Sequence, residues 1–96
     1  MVFSKVTDLI GNTPIIQLPL LQSDTRLYIK VEKNNPGGSM KDRMARNMVV
    51  AALKSGKIKP GSTIVESSSG NTGIGLAIAA IEFGLRFIAV VDHHAA

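Results

Sequence analysis

The chain has 96 residues, of which 45% are hydrophobic and 19% charged, so it allows one small domain and excludes a disordered tail. Its net charge is +4, its basic residues are scattered and only 4% of its residues are aromatic, so we expect a small anionic ligand and no nucleic-acid partner. With no cysteine and no long apolar stretch, it has no thiolate metal site, and we expect a cytoplasmic protein with no membrane partner.

The first third of the sequence predicts two short strands. Residues 11–14 (GNTP) form a turn cluster, and a strand follows over residues 15–18. Apolar and polar residues alternate from 26 to 32, which predicts a half-buried strand. Residues 34–38 (NNPGG) then interrupt regular structure, because these residue types favour turns.

A helix is predicted after this turn. Ser39 and Asp42 have the spacing of a capping box, and Gly56 marks the end of the helix. Three methionines recur every four residues, so we expect them to fill the core rather than to form a cofactor site: Met40, Met44 and Met48.

The remainder of the chain predicts a β-α-β unit. A buried-type strand at residues 63–65 leads through a polar loop into a helix that begins at Asn71 or Thr72 and ends at Gly84, and a strand follows at 87–91. Two strands joined by a crossover helix are parallel. The fold class is therefore α/β, a partial three-layer sandwich with a parallel β-α-β core.

Lys41 is the first candidate for chemistry. It follows the glycine-rich turn and lies near the start of a helix, where the partial positive charge of the helix disfavours an ammonium group. An amine kept uncharged can form a Schiff base. An ordinary surface lysine is the alternative interpretation.

The loop at residues 67–73 (SSSGNTG) is the second candidate. It joins a buried strand to a helix N-terminus, where backbone N–H groups and hydroxyls bind anions. Simple capping of the helix is the alternative.

Dinucleotide binding is a competing interpretation of the same region. Gly70, Gly73 and Gly75 precede Asp92, an acidic residue at the end of the next strand, but they do not match the G-x-G-x-x-G register. His93 and His94 are adjacent and are the only histidines, so we expect no metal site.

Three segments together carry a resemblance to a known family: residues 12–14 (NTP), 35–43 (NPGGSMKDR) and 69–73 (SGNTG). In this order and at these intervals they resemble the cysteine synthase and cystathionine β-synthase family of fold-type II pyridoxal-phosphate enzymes. The resemblance runs from about residue 6 to residue 92. It implies the N-terminal part of that fold.

The resemblance also implies roles for individual residues. Lys41 matches the catalytic lysine that binds pyridoxal 5′-phosphate covalently and later moves the Cα proton, and Asn71 matches the residue that hydrogen-bonds the 3′-oxygen of the cofactor. One loop matches the segment that binds the substrate α-carboxylate: Ser68, Ser69, Gly70, Asn71 and Thr72. Many relatives have threonine where this chain has Ser68.

The implied reaction is β-replacement on an activated serine, such as O-acetylserine, by sulfide or another nucleophile. Members of the family are much longer, and their phosphate-binding loop lies downstream. We therefore interpret residues 1–96 as the N-terminal portion of such an enzyme, inactive alone and homodimeric when complete. An NAD-binding β-α-β domain and a non-catalytic interaction module are the alternatives.

Overall fold

A computed structural model describes residues 2–19, 24–67 and 70–92 of the chain. Its strands and helices follow the predicted order, with two additional 3₁₀ turns at Val6–Leu9 and Glu32–Asn34. The regular elements are β1 (Ile15–Leu18), β2 (Leu27–Lys30), α1 (Lys41–Lys54), β3 (Thr63–Ser67), α2 (Asn71–Phe83) and β4 (Arg86–Val90).

Strands β1 and β2 form an antiparallel pair in which Ile15 is opposite Lys30 and Leu18 is opposite Leu27. The expectation of a half-buried strand over 26–32 is wrong in two respects. The strand ends at Lys30, and every residue of both strands is exposed. The helices make their main contacts elsewhere, α1 with α2, and α2 also with β4 and with the first 3₁₀ turn.

Helix α1 contradicts two further expectations. The capping box does not form: the Asp42 carboxylate accepts a hydrogen bond from the backbone N–H of Gly37, while Ser39 Oγ accepts one from the N–H of Lys41. The methionines are also not core residues. Their exposed fractions are 60% for Met40, 39% for Met44 and 50% for Met48. The helix instead buries Asp42, Ala45 and Val49, and the last two pack against Leu76 and Ala79 of α2.

Strands β3 and β4 are parallel, with Thr63 beside Arg86 and Ser67 beside Val90, so the predicted β-α-β unit is confirmed. Helix α2 ends as expected at Gly84, which adopts the left-handed conformation (φ 67°) that glycine tolerates. The buried apolar cluster consists of Ala45, Val49, Leu76 and Ala79, which come from α1 and α2. The two helices therefore share the core of this part of the molecule.

No helix within the described ranges is long and apolar enough to cross a membrane.

Candidate active site

Helices α1 and α2 run in the same direction along their interface. A Cβ built on Gly75 near the start of α2 would lie 3.0 Å from the carbonyl oxygen of Lys41 at the start of α1. Farther along, Arg46 of α1 donates to Glu82 of α2 over 3.1 Å. Because the contacts follow the same order on both helices, both N-termini lie at the same end of the pair. Lys41 begins α1 at this end, and Asn71, one helical turn before Gly75, begins α2 there.

Gly75 is what allows the two helix starts to approach this closely. A side chain at this position would also lie 3.0 Å from Cβ of Ala45. Gly73 and Gly75 are both buried in α2. The packing of α2 on α1 thus explains why a glycine is needed at position 75. A dinucleotide-binding motif, the competing interpretation of Gly75, is not needed to explain it.

Lys41 is the first residue of α1 and is half-buried. Its backbone N–H is bonded to Ser39 Oγ at 3.1 Å. Within the described part of the chain, its ammonium group forms no hydrogen bond or ion pair. The backbone of Lys41 is therefore fixed by Ser39, whereas its Nζ is available to a ligand.

The start of α2 carries the other predicted site residues that the structure describes. Gly70 occupies the N-cap and has no side chain with which to cap the helix, Asn71 is exposed and Thr72 is half-buried. Two members of the predicted carboxylate loop, Ser68 and Ser69, lie outside the described residues. His93 and His94 also lie outside them. The described members therefore surround a helix N-terminus, which suits an anion.

The segment before Lys41 is a closed turn. The N–H of Gly38 donates to the carbonyl of Asn35 over 2.8 Å, and Gly38 has a positive φ of 87°. The N–H of Gly37 donates to Asp42 Oδ2 over 2.5 Å. Asp42 is fully buried, so the turn wraps around its carboxylate.

A polar cluster that the sequence did not reveal lies next to this turn. Glu32 accepts hydrogen bonds from Arg43 Nε at 2.6 Å and Arg43 Nη2 at 3.3 Å, and from the hydroxyl of Thr13. The amide of Asn35 adds a bond of 3.2 Å. The hydrogen bonds from Arg43 and Thr13 lower the pKa of Glu32 to about 2, and the bond to Glu32 raises the pKa of Arg43.

The sequence did not predict the role of Glu32 in this cluster, because the alternating pattern of residues 26–32 placed Glu32 on the solvent-facing side of a strand. One signal could have revealed the cluster. Glu32 precedes Asn35 by three residues, a spacing that places two polar side chains together in one turn of helix.

A second ion pair joins the helices farther from Lys41. Glu82 accepts from Arg46 Nε at 3.1 Å and Arg46 Nη2 at 3.2 Å, and Lys5 Nζ lies 3.5 Å from it. Burial raises the pKa of Glu82, but the hydrogen bonds from Arg46 and the nearby positive charges outweigh burial and lower it. Arg46 also lies over the ring of Phe83, 5.7 Å from its centroid.

The family model described as "Pyridoxal-phosphate dependent enzyme" matches residues 6–96. The chain belongs to this family. The family is pyridoxal-phosphate dependent, which agrees with the cofactor that the sequence motifs implied. Its match across α2 favours this cofactor over the dinucleotide interpretation.

Individual relatives agree with the family. A protein of Sinorhizobium fredii named "Putative cysteine synthase" is 67% identical over 96 residues, which are 100% of this chain and 29% of that protein. The O-acetylserine dependent cystathionine beta-synthase of Bacillus subtilis is 46% identical over 97% of this chain and 31% of its own length. The crystal structure of O-ureido-L-serine synthase superposes with a TM-score of 0.90 at 46% identity, covering 100% of this chain and 31% of that one.

The chain thus has the fold of the N-terminal part of fold-type II pyridoxal-phosphate enzymes. It spans less than a third of the length of these relatives. The agreement in sequence and structure establishes the family and the fold. The activity and substrates of the whole protein are a separate question.

The donors at the paired helix starts fit this pyridoxal-phosphate cofactor in their chemistry. A primary amine, which can condense with an aldehyde, is available at Lys41, and an amide that can bond a ring oxygen is exposed at Asn71. The close approach at Gly75 brings the two residues to the same end of the helix pair. Among the described residues, no group of three or more histidine, aspartate or glutamate side chains is arranged to hold a metal.

Proposed function

We propose that residues 1–96 form the N-terminal portion of a pyridoxal-phosphate-dependent enzyme that carries out β-replacement on an activated serine. The nucleophile is sulfide or a related group, and the product is cysteine or a related amino acid. The observation that carries the proposal is the contact of Gly75 with the carbonyl of Lys41, because it joins the N-termini of α1 and α2 at one site. The names of the relatives support the reaction class.

The cofactor, when bound, withdraws electrons from the substrate Cα, so that a proton can leave Cα and a substituent can leave Cβ. In our proposal Lys41 holds the cofactor through Nζ and, once released from it, moves the Cα proton at the same atom. An amine with no competing ion pair is suited to both tasks. Asn71 orients the cofactor ring through its side-chain amide.

The substrate α-carboxylate is assigned to the start of α2. The first N–H groups of a helix have no partners within the helix and carry partial positive charge. Gly70 at the N-cap places no side chain of its own over this end of the helix, and Thr72 adds a hydroxyl. Ser68 and Ser69 complete the proposed loop. Their hydroxyls and backbone N–H groups are of the type that binds carboxylates.

The complete enzyme is proposed to be a homodimer in the cytoplasm, acting on a small amino acid. The homodimer and the amino-acid substrate extend the resemblance of the motifs, and the cytoplasmic location extends the absence of cysteine.

The cofactor assignment is tested on the protein as its source organism makes it, by adding pyridoxal phosphate, reducing with borohydride and mapping the modified peptides. We expect the label on Lys41 in preference to Lys54, an exposed lysine at the other end of the same helix. Lys41→Ala should abolish the preferential label, and Lys54→Ala, the matched control, should leave it intact. Equal labelling of both lysines would contradict the proposal.

The reaction is tested on the protein as its source organism makes it. Cysteine formation is measured with O-acetylserine and sulfide, and with a second activated serine for comparison. We expect turnover that is lost in Lys41→Ala. A protein that binds the cofactor but turns over no activated serine would favour the non-catalytic interaction module.

A further inference from the structure

The Glu32 carboxylate is a point at which three segments of the chain meet. It accepts from Thr13 in the turn before β1, from Asn35 in the glycine-rich turn and from Arg43 in α1. Arg43 uses both Nε and Nη2, the paired geometry that fixes a guanidinium in one orientation.

Two of these partners bracket the segment that carries Lys41. Asn35 lies at its beginning and bonds Glu32 through both the carboxylate, at 3.2 Å, and the backbone carbonyl, at 2.9 Å. Arg43 lies two residues after Lys41 and bonds the same carboxylate at 2.6 Å. The two ends of the segment are therefore fixed to one side chain, which restricts the positions available to the lysine between them.

The first sequence motif supplies a second support for the same cluster. Thr13 Oγ1 accepts from Arg43 Nη2 at 3.0 Å while it donates to Glu32. The N–H of Gly11 donates to Asn35 Oδ1 at 2.8 Å, and a Cβ on Gly11 would lie 3.3 Å from Arg43 Nη1. Residues 11–13 thus hold Asn35 and Arg43, the other two partners of Glu32, in place.

We infer that Glu32 is a positioning residue, which fixes the turn and first helical residue that carry Lys41 by holding Asn35 and Arg43 together. This inference rests on the proposed role of Lys41. Glu32 acts through its partners and does not touch the reacting atoms. The side chains of Glu32 and Arg43 are 23% and 41% exposed, and ion pairs this accessible contribute little to overall stability. The cluster therefore acts by fixing the positions of Asn35 and Arg43 rather than by stabilising the fold.

Glu82 provides a matched control on the same helix pair. It also receives a paired bond from an α1 arginine, Arg46, and it is more deeply buried, with a side chain 4% exposed. Its bonds lie away from the Lys41 turn. A purely structural role predicts that loss of Glu82 does at least as much harm as loss of Glu32, whereas a positioning role predicts effects at Lys41 from Glu32 alone.

The experiment compares Glu32→Gln and Glu82→Gln in the protein as its source organism makes it, using two measurements. The first is the ratio of Lys41 to Lys54 labelled by pyridoxal phosphate and borohydride. The second, which needs no cofactor, is amide hydrogen exchange at Gly37 and Gly38, whose N–H groups are bonded within the turn. We expect Glu32→Gln to lower the labelling ratio and to accelerate this exchange, each several-fold, and Glu82→Gln to change neither relative to the rest of the chain.

Unchanged exchange and labelling in Glu32→Gln would overturn the inference, and so would equal changes in both variants. If Glu32→Gln does not fold, Arg43→Lys keeps the charge and loses the paired geometry, and unchanged exchange at Gly37 and Gly38 in that variant would overturn it equally. Equal labelling of Lys41 and Lys54 in the unsubstituted chain would instead refute the proposed function, while the exchange measurement still decides whether Glu32 fixes the turn.

Discussion

A Cβ placed on Gly37 would overlap Oδ1 of Asp42 and would lie 2.9 Å from its Cγ. The same aspartate is completely buried and accepts the Gly37 N–H through Oδ2, and its Oδ1 has no hydrogen-bond partner among the residues that the structure describes. Gly37 is therefore required by space and not by an unusual backbone angle. The turn that leads to Lys41 closes over a carboxylate from the helix that it introduces.

Gly37→Ala should destabilise the chain by about 1–3 kcal/mol, because the new methyl group must displace a buried carboxylate. Asp42→Ala removes that obstacle, so the double variant should lose less than the sum of the two single losses. Urea unfolding of the four proteins measures this coupling, which we expect at about 0.5–3 kcal/mol for groups in direct contact.

Gly38→Ala is the matched control for this cycle. Gly38 has a φ of 87°, and no atom of the described residues lies within 4 Å of an added Cβ, so its substitution costs backbone strain alone. Its effect should add to that of Asp42→Ala. A Gly37→Ala loss that is also additive with Asp42→Ala would show that the carboxylate is not the obstacle.

Gly75→Ala tests the contact between the two helices. In a helix that is not closely packed, replacing glycine by alanine stabilises by about 0.5–1 kcal/mol. Here the added methyl would lie 3.0 Å from the backbone oxygen of Lys41 and from Cβ of Ala45, neither of which can rotate away. We expect the opposite sign, a loss of about 1 kcal/mol or more. Thermal unfolding measures it, and an increase in stability would show that the helices separate without cost.

The lowered pKa of Glu32 makes stability depend on acidity in a defined range. Above the ordinary glutamate value of 4.5, Glu32 is ionised in both the folded and unfolded chains, and its stabilising contribution is fully present. As the pH falls from there toward about 2, the unfolded chain binds a proton before the folded one, and this contribution is lost. Stability should therefore fall over this range, by a small amount because the Glu32–Arg43 pair is partly exposed to solvent.

Urea midpoints measured across this range check the effect. Glu32→Gln cannot titrate at this position, so its stability should fall less steeply with acid than that of the unsubstituted chain. Glu82 also has a lowered pKa, so Glu82→Gln serves as a comparison in which the contribution of Glu32 to the acid dependence of stability is retained. If the stability of Glu32→Gln fell with acid as steeply as that of the unsubstituted chain, the prediction that Glu32 contributes to this loss would be refuted.

Periodic patterns predicted most of the fold. The β-α-β unit was foreseeable, because β3, α2 and β4 are marked by apolar runs of the right length and by Gly84. The prediction that Met40, Met44 and Met48 fill the core was wrong, because helical spacing identifies residues that share a face but does not show what that face packs against. Helix α1 buries Ala45 and Val49 against α2, since small residues permit closer contact.

The site was predictable to the extent that local motifs define it. The turn before Lys41 and the loop before α2 both precede helices, as the motifs indicated. Glu32 could not be foreseen in the same way, because its partners Thr13 and Arg43 lie 19 and 11 residues away in the sequence. Contacts over such distances depend on how the chain folds back.

The last prediction concerns the 96-residue polypeptide in isolation, which leaves much apolar surface in contact with water. In the hairpin, Ile15 is 63% exposed and Ile16 49%, and in β4 Ile88 is 53% exposed. Fully burying one such side chain is worth about 1.5–3 kcal/mol, so several of them together equal the stability of a small domain. Surfaces of this kind favour association between chains.

We therefore expect the isolated polypeptide to self-associate and to show no turnover of O-acetylserine and sulfide at an enzymatic rate. Catalysis requires the cofactor to be held within about 0.5 Å of its working position. The family resemblance assigns the phosphate-binding loop to sequence beyond these residues, so Lys41 and the start of α2 would hold the cofactor by one side only. Light scattering after size-exclusion chromatography and an assay for cysteine measure the two expectations. A monodisperse monomer that turns over at about 1 s⁻¹ or faster would contradict both, because it would show that the exposed strands need no cover and that the paired helix starts suffice for catalysis.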